Sequence, residues 1–296
     1  MAMTMATNDA EPPLGFAVVD KESGWTSHDV VARGRKVFGT RKVGHSGTLD
    51  PGATGVLLLG VGRATRLLRF LTALTKTYTA TVVLGTETST LDDSGDITAT
   101  HDMSGVTDDE IRDAAAGFVG SIEQVPPMVS AIKIDGKRLH QLAREGVEVE
   151  RAPRPVTIHS LGVDSIDLAE STFSMTVSCS SGTYIRSLAA DIGTALGGGA
   201  HLRDLRRTAI GSFTVDEARP IDDATLMSPA TGLRDYQRVT IDAGVAADVR
   251  HGKVLSRDEA SFVGTGPWVV CGPAGELLAV YEPHGPGRAK PAVVLM

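Results

Sequence analysis

Apolar and polar positions follow two different periods along this chain, and the switches between them outline its elements. Gly15-Phe16-Ala17-Val18-Val19-Asp20 is a short apolar run of strand type. Residues 26–37 read as a helix, with Thr26 as its cap and Asp29 three residues on in the capping-box position. A solid run, Val56-Leu57-Leu58-Leu59, reads as a buried segment, and residues 77–85 are β-branched and strand-like. Residues 88–105 read as an acidic loop, and 108–118 as a helix with acids in its first turn. The prolines of Gln124-Val125-Pro126-Pro127-Met128 break regular structure. Residues 137–145 suit a short helix that stops at Gly146, and 156–167 and 172–178 read as strands. Residues 184–196 place Ile185, Leu188, Ala189, Ile192 and Leu196 at helical spacing before a Gly-Gly-Gly stop. The segment 201–210 is short and basic.

After about residue 230 the texture changes to Gly, Pro and Val, with short strand-like runs such as Trp268-Val269-Val270-Cys271 and Leu277-Leu278-Ala279-Val280-Tyr281. A boundary near 225–238 follows from composition. Strands and helices interleave without the regular alternation of a doubly wound sheet, so the fold class is α+β. The polar stretch 1–13 reads as a disordered tail, since it lacks the basic-then-apolar order of a targeting peptide.

Composition adds little until charge is mapped along the chain. The 296 residues are 42% hydrophobic and 22% charged, as in an ordinary globular protein. The two cysteines, Cys179 and Cys271, form no metal pattern and no disulfide framework, and a reducing, cytoplasmic setting is the simplest reading. No apolar run approaches the roughly 18 residues needed to cross a bilayer. The net charge of −7 argues against a polyanionic partner, but its distribution does not. Residues 33–76 hold nine Lys/Arg and one acid, Asp50, a local charge of +8; residues 85–113 hold nine acids and one Arg, a local charge of −8. One face toward a polyanion and an opposite face toward solvent accounts for both blocks, as do two solvated faces with no partner.

Asp50 stands in Gly44-His45-Ser46-Gly47-Thr48-Leu49-Asp50-Pro51-Gly52-Ala53-Thr54-Gly55-Val56-Leu57, a lone carboxylate in basic surroundings. Asp-Pro-Gly is also ordinary turn chemistry. His45 can carry a proton or serve as a polar loop residue, and no second His stands at metal spacing. Tyr78 suits a core aromatic at a strand start, or a platform on which an extruded base stacks. Arg186 sits at a helix start, where the dipole opposes its charge; a carboxylate partner in a cleft would justify it, and an ordinary exposed Arg is the other reading. Arg203, Arg206 and Arg207 cluster on one segment and suit phosphates or a solvated face.

The segment 44–57 resembles the catalytic motif of the TruB-type tRNA pseudouridine synthases. Further segments are similar to that family in its order: Val19-Asp20-Lys21 with Gly24-Trp25-Thr26-Ser27-His28-Asp29; Lys76-Thr77-Tyr78; Val125-Pro126-Pro127-Met128 through Gly136-Lys137; Ser181-Gly182-Thr183-Tyr184-Ile185-Arg186 through Gly193; and Gly199-Ala200-His201-Leu202 with Leu205-Arg206-Arg207-Thr208. Together they span roughly residues 14–215. Glu22-Ser23 replaces the Lys-Pro step often seen after the first strand. The resemblance implies isomerisation of uridine at position 55, in the T loop of tRNA, to pseudouridine, with no metal or organic cofactor. It implies a largely antiparallel central sheet flanked by helices and loops in a catalytic domain of residues 14–232, with an RNA-gripping thumb loop near 124–154. A small PUA-like RNA-binding β domain would occupy 233–296. By the same resemblance Asp50 is the catalytic aspartate, and His45, Tyr78, Arg186 and Leu205 bind the substrate, Arg186 paired with Asp50 and Tyr78 stacked on the flipped uracil. Arg41, Lys42, Lys133, Lys137, Arg206 and Arg207 are the expected RNA-backbone contacts. The expected partner is tRNA, without membrane or protein partners, and the expected state is a monomer. An RNA chaperone and a guide-RNA-dependent pseudouridylase are the competing readings.

Overall fold

The structure, a computed structural model, describes residues 11–130, 133–134, 137–138, 147, 149–258 and 260–295. The chain opens with β1 (Gly15–Lys21), α1 (Ser27–Val37), β2 (Val43–His45), β3 (Thr54–Val61), α2 (Leu68–Ala73) and β4 (Lys76–Leu84). A hairpin, β5 (Thr86–Thr88) and β6 (Ile97–Thr100), leads to α3 (Asp108–Ala116) and β7 (Gly120–Gln124). Then come the two-residue strands β8 (Lys133–Ile134) and β9 (Lys137–Arg138), β10 (Arg154–Asp167), β11 (Thr172–Cys179), α4 (Ile185–Ala195), β12 (Ala200–Ile210) and β13 (Phe213–Thr214). The rest is α5 (Pro229–Gly232), β14 (Gln237–Thr240), α6 (Ala243–Arg250), β15 (Leu255–Ser256), β16 (Trp268–Cys271), β17 (Leu277–Pro283) and β18 (Arg288–Val294).

Nine strands form one sheet in the order β1-β3-β12-β4-β11-β10-β7, with β2 on β3 and β13 on β12. Its ladders are antiparallel except for one short parallel contact, where Arg206 and Arg207 of β12 meet Thr54 and Gly55 of β3. The fold is therefore α+β with a mixed, largely antiparallel sheet, as the sequence predicts. The run 56–59 is apolar throughout because β3 is covered on both faces. Val56 and Leu58 pack with Phe16, Val18 and Phe70, and Leu57 and Leu59 pack with Val30 and Val31 of α1. On the far half of the sheet, Tyr78, Ala80, Val82 and Met175 pack against Ile185, Leu188 and Ile192 of α4.

Local signals are obeyed where they are strong. Thr26 and Asp29 close a reciprocal capping box on α1, and Thr107 and Glu110 do the same on α3. A second sheet, β14-β16-β17-β18-β15, starts at Gln237. It does not stand apart: Val269, Cys271, Val280 and Val293 on one of its faces join the cluster of Phe16, Leu58 and Phe70. Arg66 donates to the Val294 carbonyl (2.8 Å), Tyr236 donates to the Phe70 carbonyl (2.7 Å), and Arg69 pairs with Glu282. Among the described residues no helix is long and apolar enough to cross a membrane.

Three expectations change. The basic segment 201–210 is a central strand, and a bulge leaves Arg203 and Arg206 on one face, opposite Thr81 and Thr79, while Arg207 points to the other, so the three arginines do not form one cluster. Arg206 makes a bidentate pair with Asp20 (2.7 and 3.0 Å), and Arg207 is 1% exposed. The +8 block is not one open, uniform surface: Lys76 is buried, and Arg33, Arg66 and Arg69, though exposed, are engaged with Asp222, the Val294 carbonyl and Glu282, while Arg35, Lys36, Arg41, Lys42 and Arg63 are exposed. The acidic block is not confined to an opposite solvent face, since Asp92 and Asp93 come back over the sheet. The short helix expected at 137–145 lies largely outside the described residues, as does most of the N-terminal tail. Lys133 and Lys137 belong to the β8–β9 ladder, and their side chains lie outside the described residues.

Candidate active site

The loop that carries Asp50 fills a gap in the sheet. One edge of β3 pairs with β1 along its length. The other edge is shared, with Leu59–Val61 facing β2 and Thr54–Gly55 facing β12. Between those stretches the orphan carbonyls find other donors, as buried backbone groups must. Ser46 N–H donates to the Leu58 carbonyl (3.0 Å), and Arg207 Nε donates to the Val56 carbonyl (2.7 Å).

The same guanidinium holds the loop itself. Arg207 Nη2 donates to the Gly47 carbonyl (3.2 Å) and Nη1 to the Thr48 carbonyl (3.5 Å). The Ser27 hydroxyl accepts from Leu49 N–H (2.9 Å) and donates to the Leu49 carbonyl (3.2 Å). The Pro51 carbonyl accepts from Gly24 N–H (2.9 Å) and from Lys21 Nζ (3.2 Å). Leu49 and Ala53 are buried on either side. With Ala53 N–H donating to the Asp50 carbonyl (3.1 Å), every residue from Ser46 to Pro51 is pinned through its backbone, and the Asp50 carboxylate is left to face Arg186.

Arg186 is 4% exposed in the first turn of α4, and each of its three nitrogens has a partner. Nε stands 3.0 Å from Asp50 Oδ2, Nη1 donates to the Thr90 carbonyl (2.8 Å), and Nη2 donates to the Val129 carbonyl (2.8 Å). Asp92 Oδ2 lies 3.5 Å from Nη1. The charge that the helix dipole opposes is therefore held by two carboxylates and two carbonyls. Gln124 completes the helix start by exchanging two hydrogen bonds with the backbone of Tyr184, at 2.7 and 3.0 Å. Burial pushes the Asp50 carboxyl above its usual range, Arg186 pulls it back, and Asp92 adds to the upward push.

Two clefts meet at this pair. One of about 430 Å³ is lined by Asp50, Asp92, Asp93, Arg186 and residues 202–205. The other, about 260 Å³, is lined by the Asp50 loop, Lys76, Tyr78, residues 180–186, Leu205 and Arg207. Asp50, Arg186 and Leu205 line both, so the structure brings three of the expected residues to one junction, with Tyr78 in the smaller cleft. Tyr78 is nearly buried, opposite Arg207 in the β4–β12 register, and burial raises its hydroxyl against the pull of that cation.

His45 lines neither cleft. It sits at the end of β2, where Nδ1 accepts from Gly47 N–H (3.3 Å) and the ring meets His28 edge-on at 5.6 Å. Burial, then His28, lowers its pKa. What it braces is the loop, from behind. Arg207 is the clear correction: a side chain buried under the loop and spent on three carbonyls cannot reach an RNA phosphate. Arg41 and Lys42 are exposed, as phosphate contacts require. Sequence reasoning did not single out Asp92, which lay among eight other acids with no distinguishing spacing. It also missed Lys21 and Lys76, buried cations that donate to loop carbonyls and whose pKa values burial lowers to about 8.

The model of the TruB family pseudouridylate synthases (N terminal domain) matches residues 35–185, and that of the tRNA pseudouridylate synthase B C-terminal domain matches residues 186–231. The chain is similar to a Mycobacterium sp. (strain KMS) protein named tRNA pseudouridine synthase B, 46% identical over 289 residues that cover 95% of this chain and 96% of the relative. A Corynebacterium diphtheriae protein of the same name is 47% identical over 283 residues, covering 94% and 92%. Among solved structures, a Cbf5-Nop10-Gar1 complex contains a chain with a TM-score of 0.72 and 26% identity, covering 96% of this chain and 84% of that one. The pinned carboxylate, its arginine and the match along two thirds of the sequence point the same way: this chain belongs to the TruB family of pseudouridylate synthases.

Proposed function

We infer that the protein isomerises a uridine of tRNA to pseudouridine, at position 55 in the T loop. The observation that carries this reading is the Asp50 carboxylate, fixed 3.0 Å from the buried Arg186 at the junction of two clefts. In the reaction the N1–C1′ bond of uridine breaks, the uracil turns, and a C5–C1′ bond forms. A proton leaves C5 and one is gained at N1, so atoms balance without a redox partner. A stacked base is out of reach of a recessed carboxylate, so the nucleotide must be extruded, at a cost of a few kcal/mol. Contacts from exposed cations such as Arg41 and Lys42 to phosphates offset that cost.

In this reading Asp50 acts as the carboxylate, and Arg186 favours its ionised form in a site that otherwise disfavours charge. Tyr78 offers a ring for the uracil to stack on, and Leu205 stands between the two clefts as an apolar wall. Arg207 keeps the loop in place and takes no part in RNA contact. The strands after Gln237 form a PUA-like module that extends the RNA surface. The enzyme works as a single chain in this reading. The test is incubation of the purified chain alone with an unmodified tRNA transcript, followed by chemical mapping of pseudouridine. One new pseudouridine in the T loop, absent with Asp50→Asn, is the expected result. Tight tRNA binding without product, or a requirement for protein partners and a guide RNA, would overturn it.

A further inference from the structure

The Asp92 that faces Arg186 belongs to a turn with an unusual support. Leu91 holds a left-handed backbone (φ 62°), a conformation that a Leu keeps only where its surroundings impose it. Asp92 Oδ1 accepts from Thr90 Oγ1 (2.6 Å) and Ser94 N–H (3.0 Å), which leaves Oδ2 for Arg186. The turn is tied to β12 at two points. Leu202 N–H donates to the Leu91 carbonyl (3.0 Å), and His201 Nε2 stands 2.9 Å from Asp93 Oδ1. The other ring nitrogen of His201, Nδ1, lies 2.8 Å from the Thr86 carbonyl, so the buried ring bridges the turn and the start of β5 through both nitrogens. Asp93 itself is half exposed and lines the larger cleft beside Asp50 and Asp92.

We propose that His201 is a positioning residue: through Asp93 it clamps the 91–94 turn onto β12, and the turn in turn holds Arg186 against Asp50 while RNA occupies the cleft. Arg186 takes two of its four contacts from this turn and the residue before it, the Thr90 carbonyl and the Asp92 carboxylate. If the turn lifts, Nη1 loses both partners and the guanidinium is free to swing from Asp50.

This inference rests on the pseudouridine-forming reading, and the two fail differently. If that reading fails, the unaltered protein yields no product; if only the clamp fails, the unaltered protein is active and the variants match it. The experiment measures single-turnover pseudouridine formation, tRNA affinity and thermal midpoint for Asp93→Ala, His201→Ala, His201→Gln and the Asp93→Ala/His201→Ala double variant. Asp93→Ala, at a half-exposed position, is expected to slow the single turnover roughly tenfold through misplacement of Arg186, with affinity and midpoint unchanged. The double variant should be no slower than the slower single variant, as for residues acting through one contact. His201→Gln, which keeps a donor, should recover part of the loss. A wild-type rate for Asp93→Ala, a loss wholly matched by lower midpoint or weaker binding, or multiplicative losses in the double variant would each overturn the clamp.

Discussion

Gly55 and Arg207 meet backbone to backbone, and a Cβ added to Gly55 would lie 2.2 Å from the Arg207 carbonyl oxygen. Gly55 also holds φ at +102°, in the region that favours glycine. The pair forms the parallel contact that joins β3 to β12 behind the Asp50 loop. Gly55→Ala should therefore spread the two strands and cost about 3 kcal/mol or more of stability, read by urea unfolding. An unfolding midpoint equal to wild type would show that the strands separate freely.

Arg207 and the exposed pair Arg41 and Lys42 are all basic but should answer differently. Arg207→Ala strands three carbonyls, at a cost on the order of 3 kcal/mol, and should leave the salt slope of tRNA binding by the folded fraction unchanged. Arg41→Ala with Lys42→Ala should leave stability alone and flatten that slope by roughly one to two released counterions. Binding titrations at several salt concentrations separate the two; a flattened slope for Arg207→Ala would put that residue back in the RNA interface.

In its proposed role Asp50 acts as the ionised carboxylate, and burial raises its pKa above the ordinary carboxylate value. Activity should accordingly fall on the acid side at a higher pH than for an exposed aspartate, as the ionised form is lost. Arg186→Leu removes the cation that favours ionisation, so the acid limb of the pH–rate profile should move further up, with the maximal rate lower by roughly a hundredfold. An acid limb that stays in place would separate Arg186 from the ionisation of Asp50.

Tyr78→Phe keeps the ring and should keep most of the rate. Tyr78→Ala removes a stacking surface worth about 1–3 kcal/mol per base and should lose activity beyond what its lower stability explains. Single-turnover rates measured well below the unfolding midpoint make the comparison; equal losses in both variants would make the hydroxyl the functional group.

Lys76 has a pKa lowered to about 8 by burial, below its unfolded value. Between about pH 8 and the unfolded pKa, the unfolded chain binds more protons than the native one, so stability gained from this group rises with pH. Wild type should gain on Lys76→Met by up to about 1.4 kcal/mol per pH unit across that window. Unfolding free energies at pH 7.5 and 9.5 test it, and a constant difference between the two proteins would contradict the lowered value.

Strong local signals were legible in the sequence. Thr26 and Asp29 specify the start of α1 because a cap and its answer lie three residues apart on one turn. The solid run 56–59 announced a buried segment, and the structure makes it a strand covered on both faces. The poor place of Arg186 at a helix start pointed to a carboxylate partner, which is present in Asp50 and Asp92. The failures concern charge. Arg206 and Arg207 are adjacent in sequence and read as one cluster, yet a strand sends one to Asp20 and buries the other beneath the Asp50 loop. Asp92 had eight acidic neighbours in sequence and nothing to set it apart until the turn folded back to Arg186.

The sequence by itself determined most of the elements, the fold class and the family motif around Asp50, because caps, periodicity and turn residues act over a few positions. Only the tertiary structure decided which charges are spent internally and which remain exposed, and that Asp92 and Asp93 join Arg186 beside Asp50. Coulombic and hydrogen-bond partners are chosen by distance in space, and residues 50, 92, 186 and 201 become neighbours only when β3, β12 and α4 pack.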